Sequence, residues 1–265
     1  MNQAVSRLET STTITRSVPG LMLAFALTVS TNAQSAPAHT TAATIVLVHG
    51  ALVDGSSWRG VYDVLTRDGY RVCIVQQPLT GLDDDVAATK RVLDQQVGAV
   101  VLVGHSYGGS VITVAGGDPK VKALVYVAAL QPDVGESSAE VAPPMKPASD
   151  DLESTPDGFV FLSPEKFVVD LGAGLPKATA EFMARSQVPV SSAAFSARLG
   201  AAAWHNKPSY AIIATEDREL NPIVARRMAD RAGSKLTFLK GGHLVYISQP
   251  RAVARVIESA AVAVK

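Results

Sequence analysis

The fold is decided by the stretch Val100-Val101-Leu102-Val103-Gly104-His105-Ser106-Tyr107-Gly108-Gly109, which continues as Ser110-Val111-Ile112-Thr113-Val114-Ala115. The apolar run before Ser106 predicts a buried strand, and the run after it predicts a buried helix. The centre matches G-x-S-x-G, in which a sharp turn lifts the serine hydroxyl clear of the sheet and glycines allow a close approach of the backbone. We therefore predict a nucleophilic serine. An idle serine in a glycine-rich turn is the alternative, and it would need no polar partners elsewhere.

Length and composition indicate one globular α/β domain. The chain has 265 residues, of which 47% are hydrophobic and 18% are charged, which is typical of a globular rather than a disordered or fibrous protein. The 24 basic and 24 acidic residues give a net charge of zero, and no basic stripe offers a surface for nucleic acid. The single cysteine, Cys73, excludes an intrachain disulfide and is predicted to be a buried core thiol.

The N-terminal segment has the pattern of a secretory signal peptide. Arg7 and Arg16 precede the nine-residue stretch Leu21-Met22-Leu23-Ala24-Phe25-Ala26-Leu27-Thr28-Val29, which is shorter than the ~20 residues that a membrane-spanning helix needs. No cysteine directly follows it to carry a lipid anchor. We expect export to the periplasm or the exterior without a stable membrane anchor; an uncleaved interfacial helix is the alternative. The predicted organisation is a signal peptide at 1–33, a linker at 34–42 and a folded domain at 43–265.

Strand-like and helix-like segments alternate along most of this domain. Short runs that are rich in β-branched residues and end at turn residues predict buried strands. Such runs lie at 44–49, 71–75, 100–105, 121–130, 209–215 and 236–239. The alternation predicts the α/β class, with a mostly parallel, doubly wound sheet, helices on both faces and functional sites at the carboxyl ends of the strands.

The alternation stops between about 131 and 205. Prolines fall at 132, 143, 144, 147, 156 and 164, and no clear strand pattern is present. Helices are predicted at 164–171, 176–186 and 192–204. An insertion of this length, just past the carboxyl end of a strand, is typical of a cap over the site. We therefore predict a helical cap.

Three consecutive carboxylates, Asp83, Asp84 and Asp85, open a predicted helix. Acidic residues at a helix N-terminus are favoured by the helix dipole and by capping. A metal site is the alternative, but no His or Glu stands nearby at the spacing of a ligand set. We therefore assign these residues to capping and predict no metal site.

Three polar groups follow the predicted ends of three strands. Ser106, an acid within 216–219 and His243 occur in the order Ser, acid, His. A serine hydroxyl is a poor nucleophile until a base accepts its proton, and a carboxylate orients that base and stabilises its imidazolium form. We predict Asp217 as the acid, since it begins the turn after its strand. Glu216 is the alternative.

Of the five histidines, only His243 lies on a glycine-flanked loop after the last predicted strand, so we predict it as the general base. Acyl transfer also needs backbone donors for the oxyanion of the tetrahedral intermediate. The N–H of Tyr107, directly after the serine, and the N–H of Ala51, in the loop after the first strand, are the predicted donors. His49 is predicted only to hydrogen-bond backbone and so to shape that loop.

Four motifs together resemble those of the α/β-hydrolase superfamily, closest to its small esterases that are similar to plant salicylate-ester esterases and hydroxynitrile lyases. The resemblance implies the α/β-hydrolase fold and a Ser-His-Asp carboxylic-ester hydrolase that needs no cofactor. The motifs are His49-Gly50-Ala51, Gly104-His105-Ser106-Tyr107-Gly108-Gly109, Thr215-Glu216-Asp217 and Gly241-Gly242-His243.

Two departures from relatives in this superfamily narrow the expected reaction. Dehalogenases and epoxide hydrolases of the fold carry an Asp nucleophile where this chain has Ser106, which excludes those activities. Hydroxynitrile lyases of similar sequence have Thr and Lys where this chain has Gly50 and Leu244. Cyanohydrin cleavage is therefore disfavoured.

These observations together predict an exported serine esterase whose partner is a small-molecule ester. The mostly apolar cap favours small or medium uncharged esters, and Leu52 and Trp204 are expected to contact the substrate. Two alternatives stay open: a perhydrolase or cofactor-free haloperoxidase-like activity, and a non-catalytic role in ligand binding.

Overall fold

The computed structural model describes residues 43–142 and 152–264. The predicted signal peptide and linker lie outside these described residues, as do residues 143–151 of the predicted cap. Within the part of the chain that the structure describes, no helix has the length and apolar character that crossing a membrane requires.

The described residues form nine strands and ten α-helices. The strands are β1 (Thr44–Val48), β2 (Val72–Val75), β3 (Val100–His105), β4 (Val121–Val127), β5 (Leu152–Ser154), β6 (Phe159–Leu162), β7 (Val190–Ser191), β8 (Ser209–Ala214) and β9 (Lys235–Leu239). The helices are α1 (Arg59–Arg67), α2 (Leu82–Asp94), α3 (Gly108–Ala115), α4 (Ser138–Val141), α5 (Pro164–Val169), α6 (Lys177–Ser186), α7 (Ser192–Ser196), α8 (Pro222–Arg231), α9 (Val245–Ser248) and α10 (Pro250–Ala263).

Six strands form one parallel sheet in the order β2-β1-β3-β4-β8-β9. The chain runs from β1 outward to β2 and then returns past β1 to β3, so the direction of winding reverses between β1 and β3. A crevice forms at the carboxyl ends of parallel strands where the order reverses. The loops after β1 and β3, which carry Ala51 and Ser106, meet at this point. The predicted mostly parallel, doubly wound sheet is confirmed.

Burial explains why the apolar runs become central strands. Every residue of β1 and β3 is buried, as expected for parallel strands that are covered on both faces. The edge strands β2 and β9 are mostly half-buried or exposed. Cys73 on β2 is accordingly half-buried rather than the fully buried thiol that was predicted, and its Sγ lies 3.6 Å from Gln96 Oε1.

The predicted cap lies between β4 and β8 and contains α4 to α7, but it also holds a small sheet. Strands β5, β6 and β7 pair antiparallel in that order, so the prediction of a cap without strands is wrong. These strands have three, four and two residues, too few for a two-residue alternation to stand out. In addition, β7 pairs with β6 across the two intervening helices α5 and α6, which no local pattern reveals.

The helix predicted at 192–204 is shorter than expected. Helix α7 ends at Ser196, and Ala197 adopts an extended backbone with φ −64° and ψ 129°. Arg198 then forms an isolated antiparallel bridge with Ser137. This pairing between the end and the start of the cap replaces the local helical preference.

Gly108 and Gly109 allow α3 to lie against the backbone that follows β1 and β4. A Cβ at Gly108 would stand 2.5 Å from the His49 carbonyl oxygen. A Cβ at Gly109 would stand 2.0 Å from the Leu130 carbonyl oxygen. Because the neighbours are backbone atoms, no flexible side chain can move aside to make room. Close approach, rather than backbone conformation, therefore requires glycine at both positions.

We predict that Gly109→Ala lowers the free energy of unfolding by about 2 kcal/mol or more, because the added methyl group overlaps backbone. Gly117→Ala is the matched control, since the nearest atom to its new Cβ would be 3.5 Å away, and we expect a change within about 0.5 kcal/mol. Urea denaturation of both variants measures the difference. Equal effects of the two substitutions would contradict the explanation by close approach.

Candidate active site

Ser106 occupies a strained turn between β3 and α3. Its φ of +50° lies in the left-handed region that residues other than glycine rarely adopt. The Ser106 N–H donates to the Val127 carbonyl oxygen at 3.3 Å. The Ser106 carbonyl oxygen accepts from the N–H groups of Gly109 and Leu130, at 2.9 and 3.1 Å. These bonds hold the sharp turn that the glycine-bracketed serine predicts.

His243 and Asp217 form a buried, hydrogen-bonded pair. Asp217 follows β8 and His243 follows β9, and these two strands are neighbours in the sheet. His243 Nδ1 lies 2.8 Å from Asp217 Oδ2, and each side chain is only 3% exposed. Asp217 Oδ1 accepts from the N–H groups of Glu219 and Leu220, at 2.8 and 2.9 Å. Both carboxylate oxygens therefore have fixed donors.

The alternative acid, Glu216, lies outside this pair. Its side chain is exposed, and its Oε1 stands 3.7 Å from Lys240 Nζ. The Glu216 N–H donates to the Gly241 carbonyl oxygen at 2.9 Å, which joins the loops after β8 and β9. Glu216 thus contributes backbone to the site, whereas Asp217 contributes the carboxylate.

The pKa of His243 is raised above its ordinary value. Burial acts to lower this pKa, but the negative charge of Asp217 and the hydrogen bond between the two side chains outweigh burial. The hydrogen bond to Asp217 requires the proton on Nδ1, so the neutral ring keeps its lone pair on Nε2. An imidazole in this state can accept a proton from a hydroxyl group.

Ser106 and His243 line the same cavity, which has a volume of about 350 Å³. Ala51 and Leu52, from the loop after β1, form part of its wall. Asp217 does not line the cavity; it is hydrogen-bonded to His243, which does. The cap supplies a largely apolar wall that includes Leu152, Val160, Leu171, Val190 and Phe195.

The loop after β1 is shaped by His49. His49 Nδ1 lies 2.8 Å from the Gly50 carbonyl oxygen, and His49 Nε2 accepts from the Gln77 N–H at 3.0 Å. Burial lowers the pKa of His49, which agrees with a neutral ring that donates through Nδ1 and accepts at Nε2. The prediction that His49 hydrogen-bonds to backbone is confirmed.

Ala51 and Tyr107, the predicted oxyanion donors, adjoin the cavity and the serine. Ala51 lines the cavity, and Tyr107 directly follows Ser106. Among residues 43–142 and 152–264, neither backbone N–H donates to a protein acceptor. Leu52, the residue after Ala51, has a φ of +61° and lines the cavity, where its contact with a substrate stays a prediction.

Trp204 does not reach the cavity, so the prediction that it contacts substrate is corrected. Its indole Nε1 donates to the Pro132 carbonyl oxygen at 2.8 Å. Its ring stacks on His205 with centroids 3.8 Å apart, and the Arg231 guanidinium lies 5.8 Å from the ring centroid. Trp204 therefore joins the end of the cap to its start instead of facing the site.

His105 contacts the predicted base, a role that the sequence analysis missed. Its ring is fully buried, and its Nε2 lies 3.1 Å from the His243 carbonyl oxygen. Burial, followed by the neighbouring His243, holds the pKa of His105 well below its ordinary value, so a neutral ring donates through Nε2. The ring also packs on Tyr246, with centroids 4.5 Å apart. The only signal in the sequence was the position of His105 at the buried end of a strand.

Asp85 is a second residue whose role the sequence analysis missed: the sequence predicts capping, but α2 has no side-chain cap. Asp84 is exposed and accepts from Thr80 Oγ1 at 2.7 Å, whereas Asp85 is buried and bonded to Tyr107 and Leu79. The helical period of the sequence could have revealed the burial of Asp85, because position 85 falls on the apolar face of the helix. The buried face of α2 presents Leu82, Asp85, Val86, Thr89 and Leu93.

Within the described ranges, no group of three or more His, Cys, Asp or Glu side chains could hold a metal ion.

A model of the alpha/beta hydrolase family matches residues 45–256, a range that contains every site residue described above. The chain belongs to the alpha/beta hydrolase family. Membership confirms the resemblance that the four sequence motifs indicate, and the parallel sheet with its flanking helices is the fold of this family.

Individual members of the alpha/beta hydrolase family are similar to this chain. The chain is 33% identical over 119 residues to a carbendazim hydrolyzing esterase from Nocardioides sp. (strain SG-4G), a match that covers 40% of the chain and 49% of the esterase. The chain thus spans about half the length of this relative. It is 26% identical over 241 residues to the alpha/beta hydrolase nvfD from Aspergillus novofumigatus (strain IBT 16806), covering 82% and 96% of the two chains.

The alpha/beta hydrolase fold of this chain is also that of a solved enzyme. The crystal structure of a pyrethroid hydrolase from Sphingobium faniae JZ-2 superposes with a TM-score of 0.72 at 24% sequence identity. The superposition covers 83% of this chain and 98% of that chain. At this identity, the likeness shows a shared fold.

We predict that Asp217→Asn lowers the pKa of His243, because the substitution removes the negative charge that outweighs burial. A raised folded-state pKa stabilises the fold below the ordinary pKa of ~6.5, and this stabilisation is lost as the pH rises through the folded-state value. The stability difference between wild type and variant should therefore be largest in mild acid and shrink toward alkaline pH. NMR titration of the His243 ring and urea denaturation across this range measure the two effects.

Glu216→Gln is the matched control for this prediction, since it removes an exposed carboxylate from the neighbouring position. We expect the titration of His243 to keep its wild-type midpoint in this variant. An identical midpoint in wild type and in Asp217→Asn would show that the carboxylate does not control the base.

Proposed function

We propose that this alpha/beta hydrolase is a serine esterase that cleaves carboxylic esters through an acyl-enzyme. The observation that carries the proposal is the His243–Asp217 pair, with Nδ1 and Oδ2 2.8 Å apart, beside a cavity that Ser106 also lines. A relative that is named as an esterase supports the same class of reaction. So does the likeness in fold to a pyrethroid hydrolase.

In the proposed first step, Ser106 Oγ attacks the ester carbonyl carbon while His243 Nε2 accepts the hydroxyl proton. The imidazolium that forms is stabilised by Asp217, whose charge already raises the pKa of His243. His243 then gives the proton to the departing alcohol oxygen, which leaves an acyl group on Ser106. A water molecule that His243 deprotonates attacks this acyl group and releases the carboxylic acid.

The N–H groups of Ala51 and Tyr107 are proposed to stabilise the oxyanion of the tetrahedral intermediate. Neither N–H donates to another residue in the described part of the chain, so neither has to break a protein hydrogen bond first. Tyr107 lies at the N-terminal end of α3, where the helix dipole favours negative charge. Donors that are fixed before the reaction stabilise developing charge without reorganisation.

We infer that the substrates are small or medium uncharged esters. A cavity of about 350 Å³ is near the lower end of the range for small-molecule pockets. Its walls from the cap, such as Leu171 and Phe195, are apolar and match an apolar acyl or alcohol group. A substrate with several negative charges would lose its hydration against these walls without gaining partners.

We predict that Ser106→Ala lowers kcat for p-nitrophenyl butyrate by about 10⁴-fold or more, because no other group of the site can form the acyl-enzyme. Ser110→Ala is the matched control. It removes a hydroxyl group one helical turn later that bonds to Ser138 at 2.8 Å, and we expect it to retain most of the activity. Release of p-nitrophenolate, followed by absorbance, measures both variants.

A serine-reactive phosphonate gives an independent reading of the nucleophile. Mass mapping should find the label on Ser106 in the wild type and no label in Ser106→Ala. Turnover at the wild-type rate in Ser106→Ala, or a label on a different serine, would remove the proposal. Saturable binding of esters without turnover would identify a ligand-binding relative instead.

A further inference from the structure

A buried carboxylate lies next to the turn at Ser106 and takes no part in the mechanism described so far. Asp85, on α2, is 0% exposed. Its Oδ1 accepts from the Leu79 N–H at 2.8 Å, and its Oδ2 accepts from the Tyr107 hydroxyl group at 2.8 Å. Burial raises the pKa of Asp85 to about 6, although the bonds from Tyr107 and Leu79 oppose the rise. Both of its oxygens nevertheless act as acceptors, as those of an ionised carboxylate do.

One of these two donors is the hydroxyl group of Tyr107, a residue whose backbone N–H is proposed to stabilise the oxyanion. Tyr107 follows Ser106, and its N–H is one of the two proposed oxyanion donors. Its side chain is fully buried, and its ring lies 5.5 Å, centroid to centroid, from the ring of Phe195 in the cap. A phenol that is fixed at its far end by Asp85 limits the movement of the Tyr107 backbone.

The other donor is the N–H of Leu79, a residue that is itself hydrogen-bonded to the cap. Leu79 is buried and has a φ of +57°, a conformation that needs support from its surroundings. Its carbonyl oxygen accepts from the Ser191 N–H at 2.8 Å. The residues on either side of Ser191, Val190 and Ser192, line the catalytic cavity.

We propose that Asp85 is a positioning residue. Through one carboxylate it fixes Tyr107, whose N–H is a proposed oxyanion donor, and the part of the cap that lines the cavity. The proposal rests on the proposed esterase function, which assigns the Tyr107 N–H to the oxyanion. A carboxylate suits this position because it offers an acceptor to each of two donors, whereas an amide offers a single acceptor oxygen. Removing either bond leaves a buried polar group unsatisfied.

This arrangement predicts a specific pattern in kcat and KM. An oxyanion donor acts on charge that develops only in the transition state, so its displacement lowers kcat more than it changes KM. Asp85 and Tyr107 act through one hydrogen bond. The fold-losses in kcat caused by the two single substitutions should therefore not multiply in the double variant. A residue that merely supports the fold would instead alter stability without this pattern.

The test compares Asp85→Asn, Tyr107→Phe and the double variant in p-nitrophenyl butyrate hydrolysis by the full chain. Each single substitution should lower kcat by about tenfold with KM changed by less than about twofold. The double variant should lose about tenfold rather than about a hundredfold.

Two control variants match these substitutions in chemistry and place. Asp84→Asn changes the preceding carboxylate of α2, which bonds to Thr80 and not to Tyr107. Tyr126→Phe removes another buried tyrosine hydroxyl group, which lies 2.9 Å from Thr113 Oγ1. Both controls should keep kcat within about twofold of the wild type. Losses in the controls that equal those of the test variants would overturn the proposal.

Hydrogen exchange separates failure of this proposal from failure of the proposed function. In Asp85→Asn, amides at 188–196 of the cap should exchange faster than in wild type and in Asp84→Asn, because the bond that orders Leu79 is weakened. Unchanged exchange there, or kcat of Asp85→Asn within twofold of wild type, would overturn the role of Asp85. Absence of Ser106-dependent turnover in the wild type would refute the esterase function, while exchange would still decide whether Asp85 orders the cap.

Discussion

The proposed chemistry depends on keeping a carboxylate and an imidazole out of water while they face each other. Burial alone acts to lower the pKa of His243, and the charge of Asp217 reverses that effect. The compensation needs fixed geometry, since a buried charge that loses its partner costs roughly 3–5 kcal/mol. Two backbone donors hold Asp217 Oδ1, and the bond from Glu216 N–H to the Gly241 carbonyl oxygen joins the two loops. The adjacency of β8 and β9 is therefore a requirement of the site.

The proposed nucleophile, Ser106, depends on a second constraint, and the side chain of His105 connects this constraint to the first one. Ser106 keeps its left-handed backbone because its N–H and its carbonyl oxygen are both bonded to neighbouring segments. His105, directly before it, reaches across to the His243 carbonyl oxygen with Nε2. Because β3 lies in the middle of the sheet, this histidine has no access to water and stays neutral. A shift of the turn at Ser106 would therefore be transmitted to the backbone of His243, the proposed base.

The core could be predicted from sequence because its signals are local, and the parts that could not be predicted depend on distant contacts. The apolar runs of β1, β3 and β8 and the glycine-bracketed Ser106 each carry their own pattern. By contrast, β7 is two residues long and exists only through its pairing with β6. Trp204 was expected in the cavity because it is aromatic and ends the cap, but its partner Pro132 lies 72 residues away in sequence. Asp85 was assigned from its two acidic neighbours, although the helical period placed it on the buried face.

In the proposed function, reactivity and substrate selectivity come from different parts of the chain. The proposed triad lies on loops at the ends of parallel strands, whereas most of the cavity wall comes from the cap. This division works only if the cap is held in a fixed position on the core. The bond between Trp204 and Pro132 joins the two ends of the cap, and the bond from Ser191 to Leu79 attaches its middle to the core. Side chains on the inner surface of the cap can therefore change without moving the proposed triad, whereas movement of the whole cap would break the bonds that connect it, through Leu79 and Asp85, to Tyr107.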